Sequence, residues 1–201
     1  MPPVKKPSDE DLMAQFAAGD AKAFEELAER HRRGIYAFIL RFVGHRNTAD
    51  DLLQDVFVRI VRSADGFERR SRFTTWAYTI ARNLCIDHLR KQKHRRHQSL
   101  DQPLRKGENE GLSLMDRVAT KDAGPDRGAE NARLRTLLAE AVAALNEEQR
   151  EVFLMREQAG LPFDAIAGVV GAPVNTVKSR MRYALQNLRA RLEAAGMGLE
   201  R

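Results

Sequence analysis

The 201-residue sequence contains a single cysteine, Cys85, and no hydrophobic run long enough to form a membrane-spanning helix. One cysteine excludes an internal disulfide, which agrees with a reducing compartment. The first residues, MPPVKKPSDEDL, also lack the apolar centre and the small-residue cleavage site of a secretory signal. These absences predict a cytoplasmic protein that does not insert into a membrane.

The charge that is present is basic in total and unevenly distributed. Lys and Arg number 34 against 28 Asp and Glu, a net charge of +6. Residues 8–29 hold seven acids and one base, whereas residues 69–96 hold nine bases and one acid, and residues 174–192 hold bases with no acid. Two separate basic segments suggest two contacts with an anionic partner, with nucleic acid favoured over a membrane surface.

Hydrophobic spacing is helical nearly throughout the chain, with no convincing strand alternation, and it predicts an all-α fold. In the first half, residues of capping type and glycines mark where helices are predicted to begin and end. The predicted bounds are Asp20 to Gly44, then Thr48 to Gly66 with Asp51 completing a capping box, and then a helix opening at Thr74 or Thr75.

Between the two halves, glycines and prolines punctuate a polar stretch that is typical of a flexible linker. Helical spacing resumes in the stripe from Leu134 to Leu145, and Asn146 with Gln149 predicts the cap of the next helix. The sequence therefore predicts two helical domains, at residues 8–97 and 130–195, joined by a linker at residues 98–129.

The segment PFDAIAGVVGAPVNTVKSRMRYAL has the spacing of a helix-turn-helix. Ala167 allows close approach of the two helices, Gly171 accepts a turn conformation, and Val177 fixes the second helix on the first. The inward side chains of that second helix are predicted to be Val174, Val177, Met181, Leu185 and Leu188. Its opposite face, with Asn175, Thr176, Lys178, Ser179 and Arg182, has the donors and cations of a DNA-recognition helix. An ordinary helical hairpin is the alternative.

The segment ADDLLQDVFVRI places Asp51, Gln54 and Asp55 on one helix surface. Three interpretations are open: a solvated polar face, a surface that binds Arg side chains of a protein partner, or a pair of catalytic or metal-binding carboxylates. The last is disfavoured because no histidine stands at a ligand spacing and no glycine-rich phosphate loop is present.

The third helix mixes bases with aromatic residues, as single-stranded nucleic acid binders do. Trp76 has the spacing of a core residue, so Asn83, next to Arg82, is the better candidate for a base contact. Cys85, His88, His94 and His97 superficially resemble zinc ligands, but one long helix would spread them over several turns.

Taken together, DAKAFEELAERHRRGIYAFILRFVG, ADDLLQDVFVRIVR, FTTWAYTIARNLCIDHLRK and the long segment from Leu145 to Leu192 resemble the bacterial RNA polymerase sigma factors of the extracytoplasmic-function (ECF) group. The resemblance covers residues 8–95 and 130–193. It implies a sigma-2 domain that melts the downstream (minus-10) promoter element and a sigma-4 domain that recognises the upstream (minus-35) element as duplex. It also implies an initiation subunit with no catalysis, no cofactor and no metal.

Matched position by position, the resemblance implies three functional surfaces. Core polymerase docking falls on Asp51, Leu53, Gln54 and Asp55. Minus-10 binding falls on Phe67, Arg72, Phe73, Arg82, Asn83, Arg90 and Lys91. Minus-35 binding falls on Asn175, Thr176, Lys178, Ser179, Arg182 and Tyr183.

The partners that the resemblance implies are promoter DNA, the β′ clamp and β flap of core RNA polymerase, and an anti-sigma factor, often membrane-bound. Ala165, Gly168 and Asn175 depart from the usual pattern of the group, which leaves the upstream sequence preference undefined. Two alternatives of other classes are a stand-alone helix-turn-helix regulator, which would bind duplex DNA without polymerase, and a metal-dependent enzyme acting on nucleotides.

Overall fold

A computed structural model describes residues 6–67, 72–98 and 125–196, and within these ranges the secondary structure is helical. This confirms the predicted all-α class. The helices are α1 (Asp9–Ala17), α2 (Ala21–Val43), α3 (Arg46–Arg62), α4 (Phe73–Gln98), α5 (Pro125–Ala143), α6 (Glu147–Glu157), α7 (Phe163–Val170) and α8 (Val174–Ala194), with a short 3-10 helix at Ala64–Gly66. None of the described helices is long and apolar enough to cross a membrane.

Helix α2 begins and ends where the sequence predicts. The Asp20 carboxylate accepts a hydrogen bond from the backbone N–H of Lys22 at 3.0 Å, which satisfies one of the free donors of the first turn. Gly44 ends the helix with a φ of 79°, a conformation that costs glycine little. Between them, α2 buries Leu27, Ile35 and neighbouring apolar side chains as the central helix of the first domain.

The predicted start of α3 at Thr48 is wrong. The helix begins at Arg46, and its N-cap, His45, makes no side-chain capping hydrogen bond. Thr48 therefore lies inside the first turn. The helix also ends earlier than Gly66, at Arg62, and the chain continues as the 3-10 helix. Burial of the apolar stripe that includes Leu52, Val56 and Ile60 holds α3 in place without a side-chain cap.

Helix α4 begins at Phe73, just before the predicted threonines. Phe73 is fully buried beside His31, Phe67 and Trp76, with ring centroids 5.0 to 6.4 Å apart. Trp76 is half-buried and packs against the hydrophobic core, in agreement with its interpretation as a core residue. The aromatic residues at the start of α4 therefore mainly support the fold.

The second domain contains α5 to α8. Asn146 caps α6 as predicted, accepting the Gln149 backbone N–H at 2.8 Å. Helix α5 begins at Pro125, earlier than the predicted domain boundary at residue 130. Residues 99–124, the greater part of the predicted linker, lie outside the described residues.

The two groups of helices pack against each other. Helix α6 lies against α2 and helix α7 lies against α4, in addition to the contacts within each group. Arg150 on α6 donates hydrogen bonds to Phe42 O at the end of α2, at 3.3 Å, and to Leu145 O at 2.9 Å, and it also donates to Ala143 O at the end of α5. A cation placed among the free carbonyls of helix C-termini is favoured by the helix dipoles, so Arg150 links the two domains.

Candidate nucleic-acid and protein-binding surfaces

The helix-turn-helix consists of α7 and α8. Gly171 ends α7 in the left-handed conformation, with φ 67° and ψ 36°, as expected for the turn. Along α8 the buried positions are Val177, Met181, Ala184, Leu188 and Leu192. Leu185, predicted to point inward, is 49% exposed. After Met181 the buried positions continue three residues on at Ala184 and a further four on at Leu188, which leaves Leu185 beside this stripe and on the outer surface.

The residues predicted to bind the minus-35 element lie on the outer face of α8. Five of them are exposed, and Ser179 is partly buried. The Arg182 guanidinium lies over the ring of Tyr183, 5.1 Å from its centroid, so the two side chains form one exposed unit. The exposed residues are Asn175, Thr176, Lys178, Arg182 and Tyr183. This arrangement has the shape and chemistry needed to enter a major groove.

The structure divides the predicted minus-10 residues into an exposed group, two aromatic residues of the core cluster, and Arg82, which is partly buried. Arg72, Asn83, Arg90 and Lys91 are exposed. Phe73 is buried in the core and Phe67 is half-buried in the same aromatic cluster, so we leave both out of the candidate DNA surface. Residues 68–71 of the predicted recognition loop are not described.

Two residues of the exposed group, Asn83 and Arg90, line an open cleft of about 340 Å³ that is formed mainly by α4. Arginines and an asparagine at its walls combine positive charge with hydrogen-bonding groups, which suits a nucleotide more than an apolar ligand. Its lining residues are Arg59, Ile80, Arg82, Asn83, Ile86, Asp87 and Arg90.

The predicted docking helix, α3, presents a polar surface. Asp51, Gln54 and Asp55 are all exposed, and consecutive members stand one helical turn apart or less. Leu53, which the resemblance included in this surface, is only 6% exposed and packs in the core. Its helical position turns it away from Asp51 and toward the other helices, so we leave it out of the candidate surface.

Sequence reasoning missed an ionic cluster between the domains. Glu151 on α6 is the one charged side chain that is buried among the residues described here, with 4% exposure. Its Oε2 accepts Nε of Arg82 at 2.9 Å and lies 2.7 Å from Nη2 of the same guanidinium. Burial raises the pKa of the Glu151 carboxyl, and the hydrogen bond from Arg82 opposes that increase. No local pattern could have paired residues so far apart in sequence.

The same cluster includes the recognition helix. Arg180 on α8 lies 2.7 Å from Glu148 and 3.9 Å from Glu151, measured between guanidinium nitrogen and carboxylate oxygen. Glu151 therefore lies between one arginine of the candidate minus-10 helix and one arginine of the candidate minus-35 helix.

The histidines and cysteine of α4 do not form a metal site in the described part of the chain. No group of three or more metal-ligating side chains occurs there. Cys85 is buried, and burial raises the pKa of its thiol to about 12. Since a metal ligand must be a thiolate, Cys85 is poorly suited to bind zinc. The side chain of His97 is outside the described residues.

Comparison with known families agrees with this two-part arrangement. Residues 27–95 match Sigma-70 region 2, and residues 135–188 match Sigma-70 region 4. The first match contains α3 and most of α4, and the second contains α7 and most of α8. The chain thus belongs to the sigma-70 class of RNA polymerase subunits.

Individual relatives define the group more narrowly. The chain is 30% identical to the ECF RNA polymerase sigma-E factor of Haemophilus influenzae, over 92% of this chain and 96% of that protein. It is 28% identical to the ECF RNA polymerase sigma factor SigW of Bacillus subtilis, over 89% of this chain and 93% of that protein. The chain belongs to the ECF sigma factors.

Solved structures share the fold. The sigma factor RpoE of Bartonella quintana, in complex with the anti-sigma factor NepR, matches with a TM-score of 0.68 at 21% identity, covering 86% of this chain and 98% of that one. CnrH in complex with the cytosolic domain of CnrY matches with a TM-score of 0.65 at 23% identity, covering 94% of this chain and 99% of that one.

Membership in this family establishes the function at the level of the whole chain. It is a non-catalytic subunit that directs RNA polymerase to specific promoters for transcription initiation. The interpretations as a stand-alone regulator and as a metal-dependent enzyme are therefore set aside.

Proposed function

We propose that this sigma factor contacts the minus-35 element through the outer face of α8. The observation that carries the proposal is the separation of this helix into a buried apolar side and an exposed polar side. Lys178 and Arg182 lie in its N-terminal half, the part of a recognition helix that usually meets base edges. Arg189 and Arg191 lie farther along and are assigned to backbone phosphates or solvent.

For the minus-10 element, we propose that the cleft on α4 holds an unstacked base. Asn83 has both a hydrogen-bond donor and an acceptor for a base edge, and Arg90 and Lys91 are exposed cations on the same helix. Arg82 lines the same cleft and is assigned to a phosphate. Unstacking a base costs a few kcal/mol, and binding of the unstacked base in a pocket can offset this cost. Capture would therefore contribute both to melting and to sequence choice.

For core polymerase, we propose that Asp51, Gln54 and Asp55 on α3 form the docking surface. Their acceptors are exposed and suit charge-assisted hydrogen bonds to arginines of a partner. The β′ clamp and the β flap are the proposed polymerase partners of the first and second domains. The cleft is lined mainly by α4, and its one lining residue on α3, Arg59, is not part of this surface.

Regulation by an anti-sigma factor is a further part of the proposal. Two structural neighbours, RpoE and CnrH, were solved as complexes with NepR and CnrY, and both share the fold. We propose that this chain acts in the cytoplasm, where an anti-sigma factor anchored in the membrane holds it until a signal releases it.

The test of the minus-35 assignment is transcription by holoenzyme from a library of promoters with a randomised upstream element. Arg182→Ala and Lys178→Ala should change the selected sequence, because a lost bidentate base contact costs about 1 to 3 kcal/mol of discrimination. Arg191→Ala, exposed on the same helix, is the matched control and should leave the selected sequence unchanged.

The reverse result, with Arg191→Ala altering selection and the other two variants unaffected, would show that the outer face of α8 has been assigned wrongly. In a separate binding selection from the same library, the free chain without core polymerase should enrich no duplex sequence. Specific binding by the free chain would instead indicate a regulator that acts alone.

A further inference from the structure

The interface between the two domains uses one residue, Arg82, that the proposed function assigns to nucleic acid. Arg82 is on α4 at the wall of the cleft, and its guanidinium makes two close contacts with a single oxygen of Glu151, at 2.7 and 2.9 Å. The Arg82 side chain is 19% exposed and the Glu151 side chain 5%. The cation is therefore partly withdrawn from the cleft and already neutralised.

A neighbouring residue makes the second polar contact across the interface. Arg150 donates to Phe42 O on α2, while Glu151 accepts from Arg82 on α4. Two consecutive side chains of α6 thus bind two different helices of the first domain. A chance surface encounter would not bury a carboxylate to this extent, because an uncompensated buried charge is expensive.

We propose that Glu151 is an interdomain latch that holds the free sigma factor in a closed state, with Arg82 withheld from nucleic acid. The inference rests on the proposed function only in assigning Arg82 to the minus-10 surface. In the closed state the Glu151 carboxylate on α6 forms an ion pair with Arg82 and also lies near Arg180 of the recognition helix. Opening exchanges the carboxylate at Arg82 for a phosphate, which is the same kind of charge-assisted contact.

The closed state can be measured without DNA or polymerase. Spin labels on Glu25→Cys in α2 and Gln186→Cys in α8, both exposed positions, report the separation of the domains by pulsed electron-electron double resonance. Cys85 is fully buried and stays in place unlabelled. The parent chain should show one dominant distance, from the closed state.

Glu151→Gln keeps the shape of the side chain and removes its charge. We expect the ratio of closed to open molecules to fall about tenfold or more, seen as a second, broader distance population, because a buried pair that loses one charge is strongly destabilised. Glu148→Gln is the matched control: Glu148 pairs with Arg180 inside the second domain, so its loss should leave the distance distribution unchanged.

Arg82→Ala removes the other half of the latch and should produce the same second population. Because Arg82 lies in the first domain, this variant still tests the latch if Glu151→Gln disturbs the fold of the second domain. Circular dichroism would reveal such a disturbance. A parent-like distance distribution in either folded variant overturns the latch, as does equal opening by Glu148→Gln.

A second experiment tests the assignment of Arg82 to DNA independently of the latch. Adding a short single-stranded DNA of random sequence to the labelled parent chain should enlarge the open population, and the Arg82→Ala chain should bind that DNA more weakly than the Glu151→Gln chain. If both variants open the chain but bind the DNA equally well, the latch stands and the proposed minus-10 role of Arg82 fails. If neither variant opens the chain, the latch fails whatever the DNA affinities.

Discussion

The Glu10 carboxylate of α1 caps α4 from a distant part of the sequence: its Oε1 accepts a hydrogen bond from the backbone N–H of Phe73 at 3.0 Å. The first turn of α4 contains no acidic residue of its own. Glu10 thus supplies both an acceptor and a negative charge at the positive end of the helix dipole. This contact ties α1 to the start of the helix that carries the proposed minus-10 cleft.

We predict that Glu10→Ala lowers the free energy of unfolding by about 1 kcal/mol, the usual cost of losing an N-cap acceptor. Urea denaturation followed by circular dichroism measures it. Glu10→Gln keeps an acceptor oxygen and should lower the free energy of unfolding by less. Glu29→Ala, an exposed acid on α2, should change stability by no more than about 0.5 kcal/mol. Equal losses for Glu10→Ala and Glu29→Ala would argue against the cap.

Gly34 marks a close approach between α2 and α4. A side-chain carbon added at Gly34 would lie 2.8 Å from the hydroxyl oxygen of Tyr78, which is nearly buried beside Phe38. Alanine gains up to about 1 kcal/mol over glycine in a helix, but overpacking a core costs about 1 to 3 kcal/mol. We therefore predict that Gly34→Ala destabilises the chain by about 1 kcal/mol, measured by the same denaturation.

Two further variants check that the Tyr78 hydroxyl is the cause. In a Tyr78→Phe background, where that oxygen is absent, Gly34→Ala should be neutral or stabilising. Gly168→Ala in α7 meets open space and should stabilise the chain by about 1 kcal/mol. A destabilisation by Gly34→Ala that persists in the Tyr78→Phe background would place the steric conflict elsewhere.

These contacts show which parts of the molecule the sequence could predict. Helix α2 begins and ends as expected because Asp20 and Gly44 act through backbone groups within one helical turn. The cap of α6 at Asn146 is local in the same way. The two-domain helical fold followed from apolar periodicity, and the outer face of α8 followed from the same rule.

The features that the sequence could not predict depend on tertiary packing. Thr48 has the composition of a cap, but α3 begins at Arg46 because burial of its apolar stripe outweighs the cap. Phe73 and Leu53 belong to matched motifs, yet both are buried. The partners of Glu10 and Glu151 lie 63 and 69 residues away in sequence, where no spacing rule applies.

Burial also determines the reactivity of Cys85. Its pKa is raised to about 12, so at pH 8 the thiolate is about a thousandfold scarcer than for an ordinary exposed cysteine. We predict that iodoacetamide modifies the native chain at least about a thousandfold more slowly than the chain in denaturant, measured by mass spectrometry. The Gln186→Cys variant should react at its new thiol at an ordinary rate. Rapid, complete modification of Cys85 under native conditions would contradict its burial.

The proposed docking surface on α3 can be tested by comparing exposed and buried positions of the same helix. Asp51 and Gln54 are exposed, so replacing both with Ala should weaken binding to core polymerase while changing stability by no more than about 0.5 kcal/mol for each residue.

Leu53→Ala lies on the same helix but in the core, and it should cost about 2 to 5 kcal/mol of stability. Titration of labelled core polymerase, with thermal melting of each free variant, separates the two effects. If polymerase binds the double variant with parent affinity, α3 is not the docking surface. The charged side chains exposed on α3 would then form a solvated polar face, which is the alternative interpretation of ADDLLQDVFVRI.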